Sequence, residues 1–271
     1  MIQGSCFENL GAAAAGVPGD ASGPFQRRDW ALAPAAVARR LAAQPGLVWL
    51  DSAQAGTGAI SVITACPLEV LQGSIHHDWQ RVEDHLQRHA QPRIADWPLP
   101  VGGLFGWVGY DGRFTLGHYP HALVYVHDTA TWFEAGSLSE RFQAGETQAA
   151  APPLHFEPQV SRADFTAAVR AAKAYIAAGD IYQVNLSYPW HAAWPEKADP
   201  LACYERLRAV SPAPHAAYLD LNGTQVFSAS PELFLRLSGR SIVTRPIKGT
   251  RPRFPDGPAR DTAARGQLRA S

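Results

Sequence analysis

A glutamate and a lysine towards the end of the chain are the residues best suited to chemistry. Glu232 follows Ser230 and Pro231, and Lys248 comes sixteen positions later, since 248 − 232 = 16. We predict that they lie on the two arms of a β-hairpin, where they could share a pocket. A nearby cation or burial would favour the neutral lysine amine, which is the nucleophilic form.

Three arginines flank Lys248 in residues 245–253 (RPIKGTRPR), which we call the basic segment. Guanidinium groups bind planar carboxylates, so Arg245, Arg251 and Arg253 suit a carboxylated substrate. From these residues alone, a solvated basic turn that two prolines hold rigid is the more common outcome.

Residues 179–187 (GDIYQVNLS) form a second polar stretch, where a predicted helix runs into a predicted strand. Asp180, Gln183 and Asn185 could face a ligand there. They could equally satisfy backbone groups of a turn, and such bonding is so frequent that we favour the turn.

These residues need a scaffold, and the hydrophobic patterns predict an α+β fold with antiparallel β-sheets and helices packed on them. Ser161 with Asp164 resembles a capping box, and Gly179 stands where a C-cap glycine belongs. The predicted helices span residues 30–43, 79–90, 162–178 and 200–210. The predicted strands span residues 47–50, 59–65, 102–111, 121–134, 184–190, 216–221, 224–229, 233–237 and 241–244.

Residues 143–153 (QAGETQAAAPP) are polar, then rich in alanine and proline, and are the best candidate for a linker. We therefore predict one region over residues 1–150 and a second over residues 151–271.

Composition narrows the classes of function. Lys plus Arg and Asp plus Glu each number 24, so bulk charge favours neither nucleic acid nor a membrane surface as a partner. Cys6, Cys66 and Cys203 have no metal-ligand or redox spacing and suit a reducing compartment. No signal peptide and no membrane span is evident, so we expect a cytoplasmic protein.

Residues 246–253 of the basic segment resemble the signature loop of the chorismate-binding enzymes. This resemblance favours a functional role for the segment over a solvated turn. Residues 230–232 (SPE) and 179–186 are similar to two further signatures of that family, in the expected order. Residues 50–53 (LDSA) and the glycine-rich residues 102–111 resemble its N-terminal portion. The resemblance implies the fold of anthranilate synthase component I, of which this chain would be an incomplete, N-terminal part.

Lys248 distinguishes two branches of this family. Enzymes that form p-aminobenzoate carry lysine at this place in the loop, whereas anthranilate synthases typically carry alanine. The resemblance therefore implies an aminating subunit that makes 4-amino-4-deoxychorismate from chorismate and ammonia, for p-aminobenzoate and folate biosynthesis. It assigns Lys248 as nucleophile, Glu232 as acid/base group, and Thr250 with Arg251 to substrate binding. The alternative within the family is anthranilate synthase component I.

The resemblance also implies a pocket for tryptophan near the N-terminal strands, lined by Ser52, Tyr182 and Pro214. A serine at the end of a strand is more often a backbone cap, so both roles stay open for Ser52.

Relatives continue beyond the basic segment, and the resemblance implies that the ligands of a Mg²⁺ ion lie in that later part, with no metal ligand in this chain. It also implies a glutamine amidotransferase subunit that supplies ammonia. Phe254 stands where relatives often have glycine. We expect a fragment of an aminating enzyme. The alternatives are a ligand-binding remnant and a partner that completes a site with a second polypeptide.

Overall fold

The computed structural model describes residues 25–53, 56, 58–90, 99–144, 153–196, 198–238, 240–249 and 251–270. The chain divides into two compact units. The first comprises Met1–Glu146 with Leu207–Ser271, and the second is Thr147–Arg206. Part of the predicted linker, residues 145–152, lies outside the described residues. The predicted boundary after residue 150 stays a prediction.

Runs of antiparallel strands are separated by single helices in the described residues, which confirms the predicted α+β class. The strands are β1 Phe25–Arg28, β2 Val48–Asp51, β3 Ile60–Thr64, β4 Glu69–Ser74, β5 Gly103–Val108, β6 Arg113–Tyr119, β7 Ala122–Val126, β8 Thr131–Ala135, β9 Glu157–Pro158, β10 Trp190–His191, β11 His215–Leu221, β12 Thr224–Ser230, β13 Leu233–Ser238 and β14 Ser241–Arg245. The helices are α1 Pro34–Arg40, α2 Trp79–Arg88, α3 Arg162–Ala178, α4 Pro200–Val210 and α5 Pro258–Ala270. None of these helices is both long enough and apolar enough to cross a membrane.

A seven-stranded sheet forms the centre of the first unit, in the order β1-β8-β7-β3-β2-β11-β12. Every neighbouring pair in it is antiparallel. Its middle strands are runs of apolar residues, as sheets covered on both faces require. Val48, Trp49 and Ile63 there are buried. The sheet therefore contributes to the apolar core of the first unit.

A second sheet of the first unit has three strands in the order β4-β6-β5, and helix α2 packs on it. Residues alternate between the faces of a strand, so Phe114, Leu116 and His118 of β6 share one face. Val82 of α2 is buried against Leu71 and Phe114. The sequence analysis missed β4 and β6, because glycine and polar residues interrupt their apolar alternation.

Strands β13 and β14 pair only with each other among the described residues. This hairpin confirms the predicted strands at 233–237 and 241–244. Large apolar side chains on it are exposed, among them Phe234 at 88% and Ile242 at 67%.

The second unit contains the predicted cap of its long helix, α3. The Ser161 hydroxyl accepts a hydrogen bond from the Asp164 backbone N–H, and Gly179 ends the helix with a left-handed φ of 82°. The strand predicted over residues 184–190 is wrong. Only Trp190 and His191 pair with a neighbour, because a strand needs a hydrogen-bonded partner as well as favourable side chains.

Candidate functional site

A buried carboxylate lies at the end of β2, in the first unit. Asp51 is 2% exposed, and its Oδ2 accepts a hydrogen bond from Arg208 Nε at 2.7 Å. Arg208 Nη2 donates to the other carboxylate oxygen, Oδ1, at 3.4 Å. The Arg208 guanidinium also lies over the Trp49 ring, 4.9 Å from its centroid. The buried Asp51 carboxylate needs a positively charged partner, which Arg208 provides. The pair thus joins β2 to the end of α4.

Two further side chains extend this pair into a polar network at the ends of β2 and β3. The Ser61 hydroxyl donates to Asp51 Oδ1 at 3.2 Å and lies 2.9 Å from Nε2 of His127. Burial lowers the pKa of His127; the Asp51 carboxylate opposes that shift, and Arg208 adds to it. We call Asp51, Ser61, His127 and Arg208 the Asp51 network.

The structure brings together two of the three residues predicted for an amino-acid pocket. The Ser52 hydroxyl lies 2.8 Å from the carbonyl oxygen of Ile60 and 3.3 Å from that of Pro214, and both oxygens accept from it. This hydroxyl therefore ties strand ends together, as the capping alternative expected. Tyr182 belongs to the second unit, where its side chain is 95% exposed. The tryptophan role of these residues stays a prediction.

Glu232 and Lys248 lie at the same end of the β13–β14 hairpin. Leu233, directly after Glu232, pairs with Arg245, which is three residues before Lys248. Both side chains are exposed, and the Ser230 hydroxyl donates to the main-chain oxygen of Glu232 at 3.2 Å. Glu232 directly precedes β13 and Lys248 follows β14, so neither residue lies within a strand. That they share a pocket stays a prediction. Their catalytic roles stay predictions.

Of the two residues predicted to bind substrate, Thr250 lies outside the described residues and Arg251 is exposed. The end of the basic segment is fastened to α5. Asp261 Oδ1 accepts from Arg253 Nε at 2.7 Å and from the Phe254 backbone N–H at 3.1 Å. The hydrogen bond from Arg253 holds the pKa of Asp261 below its ordinary value.

Phe254, which stands where relatives often have glycine, has a packing role. The Arg260 guanidinium of α5 lies over its ring, 4.2 Å from the centroid. The aromatic ring and the Asp261 hydrogen bonds therefore hold this end of the segment against the first turn of α5. The sequence analysis did not predict α5 and so missed this attachment.

One group of metal-ligating side chains is found among the described residues, and its chemistry does not suit Mg²⁺. It consists of His85, His89 and His118, whose candidate ligand atoms lie within 4.8 Å of one another. Mg²⁺ prefers carboxylate and water oxygens in octahedral geometry. This group therefore does not suit Mg²⁺, and the magnesium site, which the resemblance places beyond the basic segment, stays a prediction.

Solved structures share the fold of this chain. Anthranilate synthase component I from Streptococcus pneumoniae covers 70% of the chain, and the chain covers 54% of it, with 20% identity and a TM-score of 0.56. MenF, the menaquinone-specific isochorismate synthase of Escherichia coli, covers 91% of the chain, and the chain covers 58% of it, with 12% identity and a TM-score of 0.57. The α+β architecture is therefore that of anthranilate synthase component I and isochorismate synthase.

A family model described as chorismate binding enzyme matches residues 47–271. The chain belongs to this family, which confirms the resemblance in the basic segment. Aminodeoxychorismate synthase component 1 of Salmonella typhimurium is 31% identical over 217 residues, covering 70% of the chain and 45% of that protein. Anthranilate synthase component 1 of Thermus thermophilus is 50% identical over 101 residues, 37% of the chain and 21% of that protein. The chain spans less than half the length of each of these two relatives.

Proposed function

We propose that this protein is the aminating component of an enzyme that converts chorismate and ammonia to 4-amino-4-deoxychorismate. One observation carries the choice of reaction: a lysine, Lys248, stands in the basic segment of a chain that belongs to the chorismate binding enzymes. A lysine amine can form a covalent intermediate there, which an alanine at this place could not do.

The proposed reaction has two displacements. The neutral Lys248 amine adds to C2 of the chorismate ring, the ring double bonds shift, and the C4 hydroxyl leaves as water with a proton supplied by Glu232. Ammonia then bonds to C4, the double bonds shift back, and the C2–N bond to Lys248 breaks. The amine is released and one proton returns to Glu232. Each step exchanges one bond for another, so one difficult substitution becomes two easier ones.

The hairpin geometry supports this assignment. Glu232 immediately precedes β13 and Lys248 follows β14, and the pairing of Leu233 with Arg245 holds these ends side by side. Arg251 adds positive charge for the carboxylates of chorismate, whereas Arg253 is paired with Asp261. An acid, a nucleophile and anion-binding groups therefore come from one short element.

The remaining parts of the reaction come from outside this chain in our proposal. Ammonia comes from glutamine through an amidotransferase partner, and Mg²⁺ is held by oxygen ligands that the described residues do not provide. We also propose that tryptophan binds beside Ser52 and Pro214, two residues of the first unit. Calorimetric titration with tryptophan tests this pocket separately from turnover.

The test of the lysine is to trap its adduct. The full-length gene product is incubated with chorismate and Mg²⁺ without ammonia, and peptides are analysed by mass spectrometry. We expect Lys248 to gain the mass of chorismate minus one water. The Lys248→Ala variant should show no adduct and should lose aminodeoxychorismate formation when ammonium is added. Lys173→Ala, which removes an exposed lysine of α3, is the matched control and should behave as wild type. Wild-type turnover by Lys248→Ala would refute the covalent role.

Anthranilate synthesis is the second candidate, because the Thermus thermophilus anthranilate synthase component 1 reaches 50% identity over 101 residues. The same incubation with ammonium separates the two reactions by product. Anthranilate in place of 4-amino-4-deoxychorismate would overturn the argument from Lys248.

A further inference from the structure

Three histidines meet where α2 crosses the end of the β4-β6-β5 sheet. His85 and His89 are four residues apart, at the end of α2, and therefore share a helix face. His118 projects from the helix-covered face of β6. The ring centroids are 4.4 Å apart for His85–His89, 4.8 Å for His85–His118 and 4.6 Å for His89–His118. Each ring is thus in contact with both of the others.

The central ring of this histidine cluster lacks the hydrogen bonds that burial demands. His85 is 1% exposed, and neither of its ring nitrogens has a hydrogen-bond partner among the described residues. Glu69 Oε2 lies 3.3 Å from Nδ1 of His85, but without the alignment of a hydrogen bond. An unsatisfied buried polar group costs about 1–3 kcal/mol and calls for an explanation, which a bound ion would provide.

The helix that carries two of these rings is fixed beside the sheet that carries the third. A neutral imidazole offers a nitrogen lone pair to a metal ion. The apolar contacts of Val82 with Leu71 and Phe114 fix the helix against the sheet beside the cluster.

We propose that His85, His89 and His118 form a binding site for Zn²⁺ or a similar late first-row transition-metal ion. Imidazole nitrogen is a preferred ligand of these ions, and three histidines with one open position form a common zinc site. Glu69 is opposite His118 in the β4–β6 pairing and beside His85 Nδ1. It acts as the carboxylate that orients the His85 ring and so frees Nε2 for the metal.

Only small movements complete this site. Nitrogens bound at about 2.0–2.1 Å around a tetrahedral Zn²⁺ lie roughly 3.3 Å apart. The candidate atoms are now within 4.8 Å of one another, so the rings must approach by up to about 1.5 Å. His89 is exposed and follows the last residue of α2, where rotation of its side chain meets little resistance.

The bound ion would fasten α2 to the three-stranded sheet. One ligand comes from within α2, one from the residue after it and one from β6. Binding therefore joins residues that are at least 29 positions apart in the chain, since 118 − 89 = 29. An ion that binds only the folded form raises its stability. This site is independent of the proposed reaction, because it uses neither chorismate nor the basic segment.

The test measures metal binding directly on this chain, produced without a histidine tag and treated with a chelator. Co²⁺ is titrated while the visible ligand-field absorption is recorded, and Zn²⁺ is then added as a competitor. We expect one ion per chain, Co²⁺ displaced by Zn²⁺, and a higher thermal midpoint with Zn²⁺. His89→Ala should lower the affinity at least tenfold. Glu69→Gln should lower it about 10–100-fold if it orients His85.

His77→Ala is the matched control, because His77 is an exposed histidine just before α2 and outside the cluster. It should bind Co²⁺ and Zn²⁺ as the wild type does. The proposal is overturned if wild type shows no saturable binding, or if His89→Ala binds as tightly as His77→Ala. Since His89 is exposed, its replacement leaves the core intact, and circular dichroism verifies that the variant is folded.

Discussion

The buried Asp51 carboxylate depends on a residue far away in the chain. Its hydrogen bonds to Arg208 span 157 positions, and the arginine also covers the Trp49 ring. We predict that Arg208→Ala lowers the free energy of unfolding by about 2–3 kcal/mol, because it leaves a buried charge without its cation. This predicted loss is smaller than the usual loss for a fully buried ion pair because the Arg208 side chain is 26% exposed. Urea unfolding followed by tryptophan fluorescence measures it.

Arg27→Ala is the control for this prediction. Arg27 pairs with Asp29 at 3.3 Å, and the two side chains are 65% and 88% exposed. Exposed pairs contribute little, so the change in unfolding free energy should stay within about 0.5 kcal/mol. Equal effects of the two substitutions would show that the Asp51 pair is not stabilising.

The sequence drew attention to individual residues, but it did not show which residues they contact. The motif 50–53 drew attention to Asp51 and Ser52, but the bonds to Arg208 and Ser61 arise only when β2, β3 and α4 meet. The histidine cluster shows the same limit. The i, i+4 spacing of His85 and His89 was visible, whereas His118 lies on β6, a strand that the sequence analysis did not predict.

Strand β5 shows why a glycine can be required within a strand. Glycine within a strand often marks either a bulge or a close approach of the backbone. In the structure, a Cβ atom placed on Gly106 would overlap the carbonyl oxygen of Thr115 in β6. We predict that Gly106→Ala lowers the unfolding free energy by at least about 2 kcal/mol, because the paired strands must separate to admit a methyl group. Chemical denaturation gives the value.

Gly266→Ala is the matched substitution. A Cβ atom on Gly266, in α5, meets no atom within 4 Å. Alanine is the better helix former, so this change should stabilise the protein by up to about 1 kcal/mol. A neutral effect of Gly106→Ala would contradict the close approach of β5 and β6.

Elements with strong local signals were predictable, and elements defined by their neighbours were not. Ser161, Asp164 and Gly179 marked both ends of α3, and turn residues separated the strands of the β11–β14 region. The strand predicted at 184–190 had suitable side chains, but Trp190 alone among these residues has a strand partner. The missed helix α5 is polar, with Ala264 as its one buried residue, so it has no clear apolar face.

At the scale of the whole molecule, several histidines have a pKa that folding lowers. Burial is the main cause of a lowered pKa at five histidines of the described chain: His85, His118, His121, His127 and His215. The ordinary pKa of a histidine side chain is 6.5. The unfolded chain therefore binds more protons than the folded chain once the pH falls below that value.

This difference in proton binding predicts how stability depends on pH. A group whose pKa is lower in the folded state contributes its full stability above the unfolded value and loses it as the pH falls through the folded value. We therefore expect the free energy of unfolding to change little between about pH 7 and pH 8 and to fall steadily from about pH 6.5 towards pH 5. Urea unfolding at several pH values, with a chelator present to exclude metal effects, measures this dependence.

Replacing one of these histidines tests whether its protonation causes the loss of stability at low pH. His127→Gln should reduce the loss of stability between about pH 7 and pH 5, because glutamine does not titrate in that range. It keeps a polar group near the Ser61 hydroxyl, which now lies 2.9 Å from the imidazole Nε2. His77→Gln removes an exposed histidine and should leave the pH dependence as in wild type. A stability that stays level or rises from pH 7 to pH 5 would contradict the argument, because protonation would then cost the folded state nothing.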